Sequence, residues 1–117
     1  MTRIKLALAA VAVGAALLVP AAQAATILTA TTGPGFTITL KKGTTKVTKL
    51  KAGTYVIRVS DKSNIHNFHL KGPSLNKTTS VTGTGTQTWT VKFKPGVYTY
   101  VCDPHSTIMR GTFKVTA

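Results

Sequence analysis

Hydrophobic and polar residues alternate along most of the chain after residue 25, in short runs rich in threonine, valine, isoleucine and aromatic residues. This period of two is typical of β-strands with one buried face. Turns containing glycine or proline separate the runs, and no segment has a helical apolar stripe. The pattern predicts a small, single-domain, all-β protein, an antiparallel sandwich or barrel. The predicted strands are Thr26–Ala30, Phe36–Leu40, Lys46–Leu50, Thr54–Ser60, Ile65–Lys71, Thr86–Lys94, Val97–Cys102 and Gly111–Thr116.

The alternation also assigns side chains to the faces of the strands. Tyr100 and Cys102 share a face, which we predict to point inward because tyrosine buries a large apolar ring. Cys102 would then face the core at the end of its strand. Within Ile65–Lys71, His66 and His69 lie three positions apart and are predicted to point to opposite faces.

The first 24 residues have a different composition. A basic start, an uncharged apolar run over residues 6–19, a proline and a final Ala-Gln-Ala follow the order of a secretory signal peptide. The run is shorter than the roughly 20 residues that span a bilayer. We therefore expect residues 1–24 to be a signal peptide and residues 25–117 to form one exported domain. That domain would lie in a periplasm or outside the cell, with no transmembrane segment.

The chain is strongly basic, with 15 lysines and arginines, two acidic residues and a formal charge of +13. Cleavage after residue 24 would leave 13 basic residues against Asp61 and Asp103, a charge of +11. Such a charge favours encounters with anionic surfaces. No basic run is interleaved with exposed aromatic residues, so the sequence does not indicate a nucleic-acid-binding site. A solvated charged surface and a dedicated docking face both remain open.

Cys102 is the only cysteine, which excludes an internal disulfide. An unpaired thiol in an exported protein needs another explanation: a buried apolar residue, a nucleophile or a metal ligand. Catalysis lacks a residue that orients the nearby His105 and a chain long enough for a substrate cleft. A thiolate, the imidazole of His105 and the thioether of Met109 form a soft ligand set suited to copper. A second imidazole would have to come from His66 or His69.

These features resemble the cupredoxins, in particular the small plastocyanin and pseudoazurin type. The resemblance rests on YTYVC (98–102), CDPHSTIM (102–109), RGTFKV (110–115) and the pair His66-Asn67, and it covers essentially the whole predicted mature domain. It implies a Greek-key β-sandwich that binds one copper ion, which alternates between Cu(I) and Cu(II).

The resemblance also implies the site residues. His66, Cys102 and His105 match the strong ligands, Met109 the weak axial ligand, and Asn67 the asparagine that ties the two ligand segments together. One departure is that three residues separate His105 from Met109, where plastocyanin-like loops usually have four.

The function that the resemblance implies is that of an electron shuttle and not an enzyme. We expect a monomer that meets its redox partner transiently, and the basic charge favours an acidic cytochrome or oxidoreductase. The edge of His105 is expected near the surface, beside Pro104 and Ile108. Two alternatives use the same sequence: copper handling or delivery in the cell envelope, and a metal-free β-sandwich for adhesion or interaction.

Overall fold

The computed structural model describes Gly14 and residues 24–117. The predicted signal peptide, apart from Gly14 and Ala24, lies outside the described residues. Within the described part of the chain, no helix has the length and hydrophobicity needed to cross a membrane. The described elements are β1 (Thr26–Thr32), β2 (Ile38–Lys42), β3 (Thr45–Lys46), β4 (Lys49–Lys51), β5 (Gly53–Asp61), β6 (His69–Gly72), β7 (Leu75–Thr78), β8 (Gly85–Phe93), β9 (Gly96–Val101), a 3-10 helix (Asp103–His105) and β10 (Arg110–Thr116).

The ten strands form two five-stranded sheets. Their orders are β3-β2-β1-β5-β8 and β4-β10-β9-β6-β7. The predicted all-β, two-sheet architecture is confirmed. Most neighbouring strands are antiparallel, but β1 pairs with β5 in parallel, and β4 pairs with β10 in parallel. The chain crosses from the first sheet to the second between β5 and β6, and this crossing carries His66.

The core lies between the sheets and is built from the inward residues of both. Tyr98 stacks on Phe113 with ring centroids 5.4 Å apart, and Phe68 stacks on Tyr100 at the same distance. The predicted inward face of β9 is therefore confirmed. Gly111 allows the Tyr100 ring to approach the backbone of β10, since a Cβ at this position would overlap the ring. The core cluster also contains Leu28, Ala30, Leu40, Val47, Leu50, Tyr55, Ile57, Val59, Leu70, Trp89, Val91, Phe93 and Val115.

The predicted strand Ile65–Lys71 is wrong over its first four residues, since β6 begins at His69. Asn67 is buried together with His66, so the two side chains do not alternate between core and solvent. The physical reason is that threonine side chains bond the backbone here in place of a neighbouring strand. Thr32 Oγ1 donates to the carbonyl of Asn67 at 3.1 Å, and Thr79 Oγ1 accepts from the amide of Phe68 at 2.9 Å.

Other strand boundaries also differ from the prediction. The second predicted strand begins at Ile38 and leaves Phe36 in a loop, and the predicted strand Lys46–Leu50 is divided into the end of β3 and β4. β7 was not predicted, because its sequence Leu-Asn-Lys-Thr lacks β-branched and aromatic residues except for the threonine.

Candidate metal centre

Cys102 follows β9 directly and begins the loop that leads to β10. Its amide donates to the carbonyl of Met109 at 3.0 Å, which closes the loop across its two ends. The carbonyl of His105 accepts from the amides of Ile108 and Met109 at 3.1 and 2.8 Å. Pro104 lies in the short 3-10 helix, where its fixed φ suits the first turn. The loop is thus held by its own backbone, and the Cys102 side chain is fully buried beneath it.

His66 reaches the same point from the crossing between β5 and β6. Its side chain is fully buried, and the loop between β1 and β2 packs against it. Gly33 has a φ of +74°, and a Cβ at this position would lie 3.2 Å from His66 Cδ2 and 2.9 Å from Ser63 Cβ. Glycine is therefore needed both for the turn and for the close approach to the imidazole.

Three potential ligand atoms converge between these segments. Nδ1 of His66 lies 3.1 Å from Nδ1 of His105, and each Nδ1 lies 3.6 Å from Sγ of Cys102. The centre of this triangle is about 2 Å from all three atoms, close to the length of a bond from a first-row metal to an imidazole nitrogen. One sulfur and two imidazoles form a ligand set that suits copper and does not suit hard cations such as Mg²⁺ or Ca²⁺.

The hydrogen-bonding state of His66 also fits a metal ligand. Its Nδ1 faces only the other two members of the triangle, at the distances given above. Its Nε2 is buried and is the one buried side-chain nitrogen or oxygen without a partner among the described residues. His66 therefore makes no hydrogen bond to a polar group of the described fold outside the triangle. The polar neighbours of its Nδ1 are Cys102 and His105.

Met109 is fully buried at the end of the loop, and both of its backbone groups bond within the loop. The three-residue spacing after His105 is spanned by the turn that follows the 3-10 helix. Met109 is therefore a buried residue of the same closed loop as Cys102 and His105.

A network of hydrogen bonds between polar side chains links the segments that carry the three ligand atoms. The amide of Asp103 donates to Oδ1 of Asn67 at 2.7 Å, and Nδ2 of Asn67 donates to Oδ2 of Asp103 at 2.8 Å and to Oγ1 of Thr78 at 3.0 Å. This reciprocal pair agrees with the predicted role of Asn67, which links the His66 segment to the Cys102 loop. Asp103 and Thr78 were not predicted to belong to the site.

His69 is part of the same network, although the sequence predicted only an outward-facing histidine. Its Nδ1 lies 2.9 Å from both carboxylate oxygens of Asp103, and its Nε2 lies 2.6 Å from Oδ1 of Asn76. Burial opposes ionisation of Asp103, but the hydrogen bonds from Asn67 and His69, with the charges of His69 and Lys71, outweigh it and lower the pKa of this carboxyl below 3.8. His69 does not belong to the triangle.

Phe36 is another residue that sequence reasoning missed. Its ring meets His66 edge to face at 5.2 Å and His105 at 5.0 Å between centroids. The side chain is nevertheless 57% exposed. Ile108, on the ligand loop, is 64% exposed, as expected for an apolar residue beside His105. The sequence signal for Phe36 was an aromatic residue directly after a Gly-Pro-Gly turn.

Comparisons with known proteins agree with this description. The family model of the copper binding proteins of the plastocyanin/azurin family matches residues 34–116. No curated protein sequence matches the chain.

Solved structures with the same fold include reduced rusticyanin, with a TM-score of 0.58, 20% identity and coverage of 77% of this chain and 78% of that one. Reduced auracyanin from Roseiflexus castenholzii has a TM-score of 0.54 and 18% identity, over 81% of this chain and all of that one. A chain of a heme-copper terminal oxidase dimer has a TM-score of 0.54 and 28% identity, over 77% of this chain and 63% of that one. These structural similarities show that the chain shares its fold with the three proteins.

Proposed function

Because the chain belongs to the plastocyanin/azurin family of copper-binding proteins, the cupredoxins, we propose that it is an electron shuttle with one copper ion bound by His66, Cys102 and His105. Met109 is proposed as the weak axial ligand. The observation that carries the proposal is the convergence of one Sγ and two Nδ1 atoms into a triangle with sides of 3.1 and 3.6 Å. When bound, the copper would take up and release one electron by alternating between Cu(II) and Cu(I).

The residues of the chain supply a fixed geometry for that exchange. The Cys102 loop is closed by its backbone hydrogen bonds, and the His66 segment is tied to it through Asn67. Ligands that are held in this way move little when the charge of the ion changes, so little energy is spent on rearrangement. The buried Cys102 and His66 are shielded from water, which also protects the thiol from oxidation.

The proposed exit for electrons is the ring of His105, which is only partly buried. The exposed apolar side chains Phe36 and Ile108 lie on the segments that surround it. Exposed apolar side chains permit close contact with another protein. β9, which carries Tyr98 and Tyr100 and leads directly to Cys102, is proposed as a second route through the protein.

The proposed partner is an acidic cytochrome or oxidoreductase, met by a monomer in a periplasm or outside the cell. The formal charge of +11 after removal of residues 1–24 supports an acidic partner, and the composition of those residues supports export through a cleaved signal peptide. We infer that the chain carries electrons and catalyses no reaction of its own.

The test is to add one equivalent of Cu(II) to purified residues 25–117 and record the visible spectrum. An intense blue band that disappears on reduction and returns on oxidation is expected, together with loss of the band in Cys102→Ser. His69→Gln is the matched control, since it removes an imidazole outside the triangle and should leave the protein blue. Copper binding without the band would indicate copper handling in place of electron transfer. Absence of binding would indicate a metal-free interaction domain.

A further inference from the structure

His69 lies at the start of β6 in a fixed position outside the ligand triangle. It pairs with Val101 of β9 on one side and with Thr78 of β7 on the other, so its backbone lies within the sheet. Its side chain is 16% exposed and is held at both ring nitrogens, by Asp103 at Nδ1 and by Asn76 at Nε2. A histidine without a role would not be expected to be held at both ring nitrogens.

The contact of His69 with Asp103 is a charge-assisted hydrogen bond. An ionised carboxylate can only accept, so Nδ1–H of His69 donates to it at 2.9 Å. The Asp103 side chain is 45% exposed. Without the imidazole, its orientation would depend on the single bond from Asn67.

Asp103 connects this contact to the thiolate ligand. It is the residue directly after Cys102, and the peptide group between the two donates its N–H to Oδ1 of Asn67. The Asn67 amide is itself oriented by the Asp103 carboxylate. A continuous chain of hydrogen bonds therefore runs from His69 through the carboxylate and Asn67 to the backbone that carries Cys102.

We propose that His69 is a positioning residue that fixes the Cys102 backbone through Asp103 and thereby tunes the copper site. The expected effect on the copper site rests on the proposed copper-binding function. The expected effect on the Cys102 backbone can be measured in the protein without metal. Outer hydrogen bonds of this kind orient ligands and affect both affinity and reduction potential.

Removing the imidazole is expected to change the reduction potential through the charge of Asp103. The Asp103 carboxylate loses a donor that offsets its negative charge, and a less compensated negative charge near the ion favours Cu(II). His69→Gln is therefore expected to lower the reduction potential by up to about 59 mV, which is a tenfold change in relative affinity for Cu(II) and Cu(I).

The first experiment uses copper-free protein and needs no assumption about function. Hydrogen exchange of the Asp103 amide, followed by NMR, should become about tenfold faster in His69→Gln, as expected when a hydrogen bond to a charged group is lost. Exchange of the Phe113 amide in the middle of β10 serves as the internal control. Unchanged protection of Asp103 would overturn the proposal, and so would equal acceleration at both amides.

The second experiment measures the reduction potential of the copper-loaded protein in a double-mutant cycle. If His69 acts through Asp103, then His69→Gln lowers the potential in the native background and has no effect in Asp103→Asn. An equal shift in both backgrounds would overturn the proposal. Lys71→Gln is the control, because it removes a neighbouring charge without breaking a hydrogen bond to the carboxylate. If it shifts the reduction potential as much as His69→Gln does, and high salt abolishes the shift, the electric field of nearby charges alone is responsible and the proposal is overturned.

The two proposals fail differently. A native protein that takes up no copper contradicts the proposed function, while the exchange experiment still tests His69. If the native protein is blue but His69→Gln changes neither the exchange of the Asp103 amide nor the reduction potential, only the role of His69 is contradicted.

Discussion

Asn67 Oδ1 lies 2.7 Å from the backbone nitrogen of Asp103, although 36 residues separate the two in sequence. The return bond from Nδ2 to the Asp103 carboxylate is 2.8 Å long. One side chain therefore joins the crossing between the sheets, which carries His66, to the loop that carries Cys102 and His105. This pair of bonds therefore holds together the two segments that carry the three ligand atoms.

Asn67→Ala should destabilise the protein without metal. It removes the acceptor of the Asp103 amide and a donor to its carboxylate, and an unpaired buried polar group costs about 1–3 kcal/mol. Urea denaturation of the copper-free protein should show a decrease of that size in the free energy of unfolding. Asn76→Ala is the control, because Asn76 is exposed and bonds only His69 within the described network. Equal losses in the two variants would contradict the importance assigned to Asn67.

Thr79 should be more sensitive to loss of its hydroxyl than to loss of its methyl. Its Oγ1 accepts from the amide of Phe68 at 2.9 Å within the core. Thr79→Val leaves this amide unpaired and should cost about 1–3 kcal/mol of unfolding free energy. Thr79→Ser keeps the acceptor and should lose less than half as much. Thermal denaturation of both variants makes the comparison, and a serine variant as unstable as the valine one would contradict the argument.

Met109→Leu tests the proposed axial ligand. Leucine keeps the volume of this fully buried side chain but has no donor atom. Loss of a thioether donor disfavours Cu(II) more than Cu(I), so the reduction potential should rise by about 59 mV or more, a tenfold change in relative affinity. The blue band should remain, since the three strong ligands are unchanged. Cyclic voltammetry gives the potential, and an unaltered value would exclude Met109 as a ligand.

The basic surface predicts opposite salt effects with reagents of opposite charge. Oxidation of the reduced protein by anionic hexacyanoferrate(III) should slow as salt is added, because screening weakens its attraction to the positive surface. Oxidation by a cationic cobalt(III) complex should accelerate. Stopped-flow rates at several ionic strengths provide the measurement. Identical salt dependence for the two reagents would contradict electrostatic steering, and with it the expectation of an acidic partner.

The sequence predicted most of the sandwich because its strands alternate clearly between apolar and polar residues. It predicted Cys102 and His105 because they occupy one short loop, and it distinguished His66 from His69 through the resemblance to cupredoxins. Alternation failed at Asn67, where threonine side chains replace a neighbouring strand as hydrogen-bond partners. Such partners lie far away in sequence and leave no local pattern.

The residues around the triangle were missed for the same reason. Phe36 contacts both histidines from a loop whose path depends on the turn at Gly33, and no periodicity describes that path. The bonds of Asp103 to Asn67 and His69 depend on how β6 and β9 pair. Spacing along the chain cannot give the register between strands, so these contacts required the structure.

Asp61 should destabilise the protein at neutral pH. It is only 4% exposed, and burial raises its pKa above 3.8 despite hydrogen bonds from the Ser63 amide and the Thr79 hydroxyl. A carboxyl whose pKa is raised on folding contributes stability below pH 3.8, and this contribution is lost as the pH rises through the higher value in the folded state. Asp61→Asn should therefore be more stable than the native protein at pH 7, with a difference that shrinks as the pH falls toward 3.8.

Asp103 provides the matched comparison, because its pKa is shifted in the other direction. Hydrogen bonds from Asn67 and His69 outweigh burial and hold the pKa below 3.8, so this carboxylate contributes stability above that pH. Asp103→Asn should be less stable than the native protein at pH 7, and the difference should shrink only as the pH falls below 3.8. Urea denaturation of copper-free protein at several pH values follows both variants without interference from ligand protonation at the metal. Differences of the same sign for Asp61→Asn and Asp103→Asn at pH 7 would contradict the assignment of opposite roles to the only two acidic side chains of the chain.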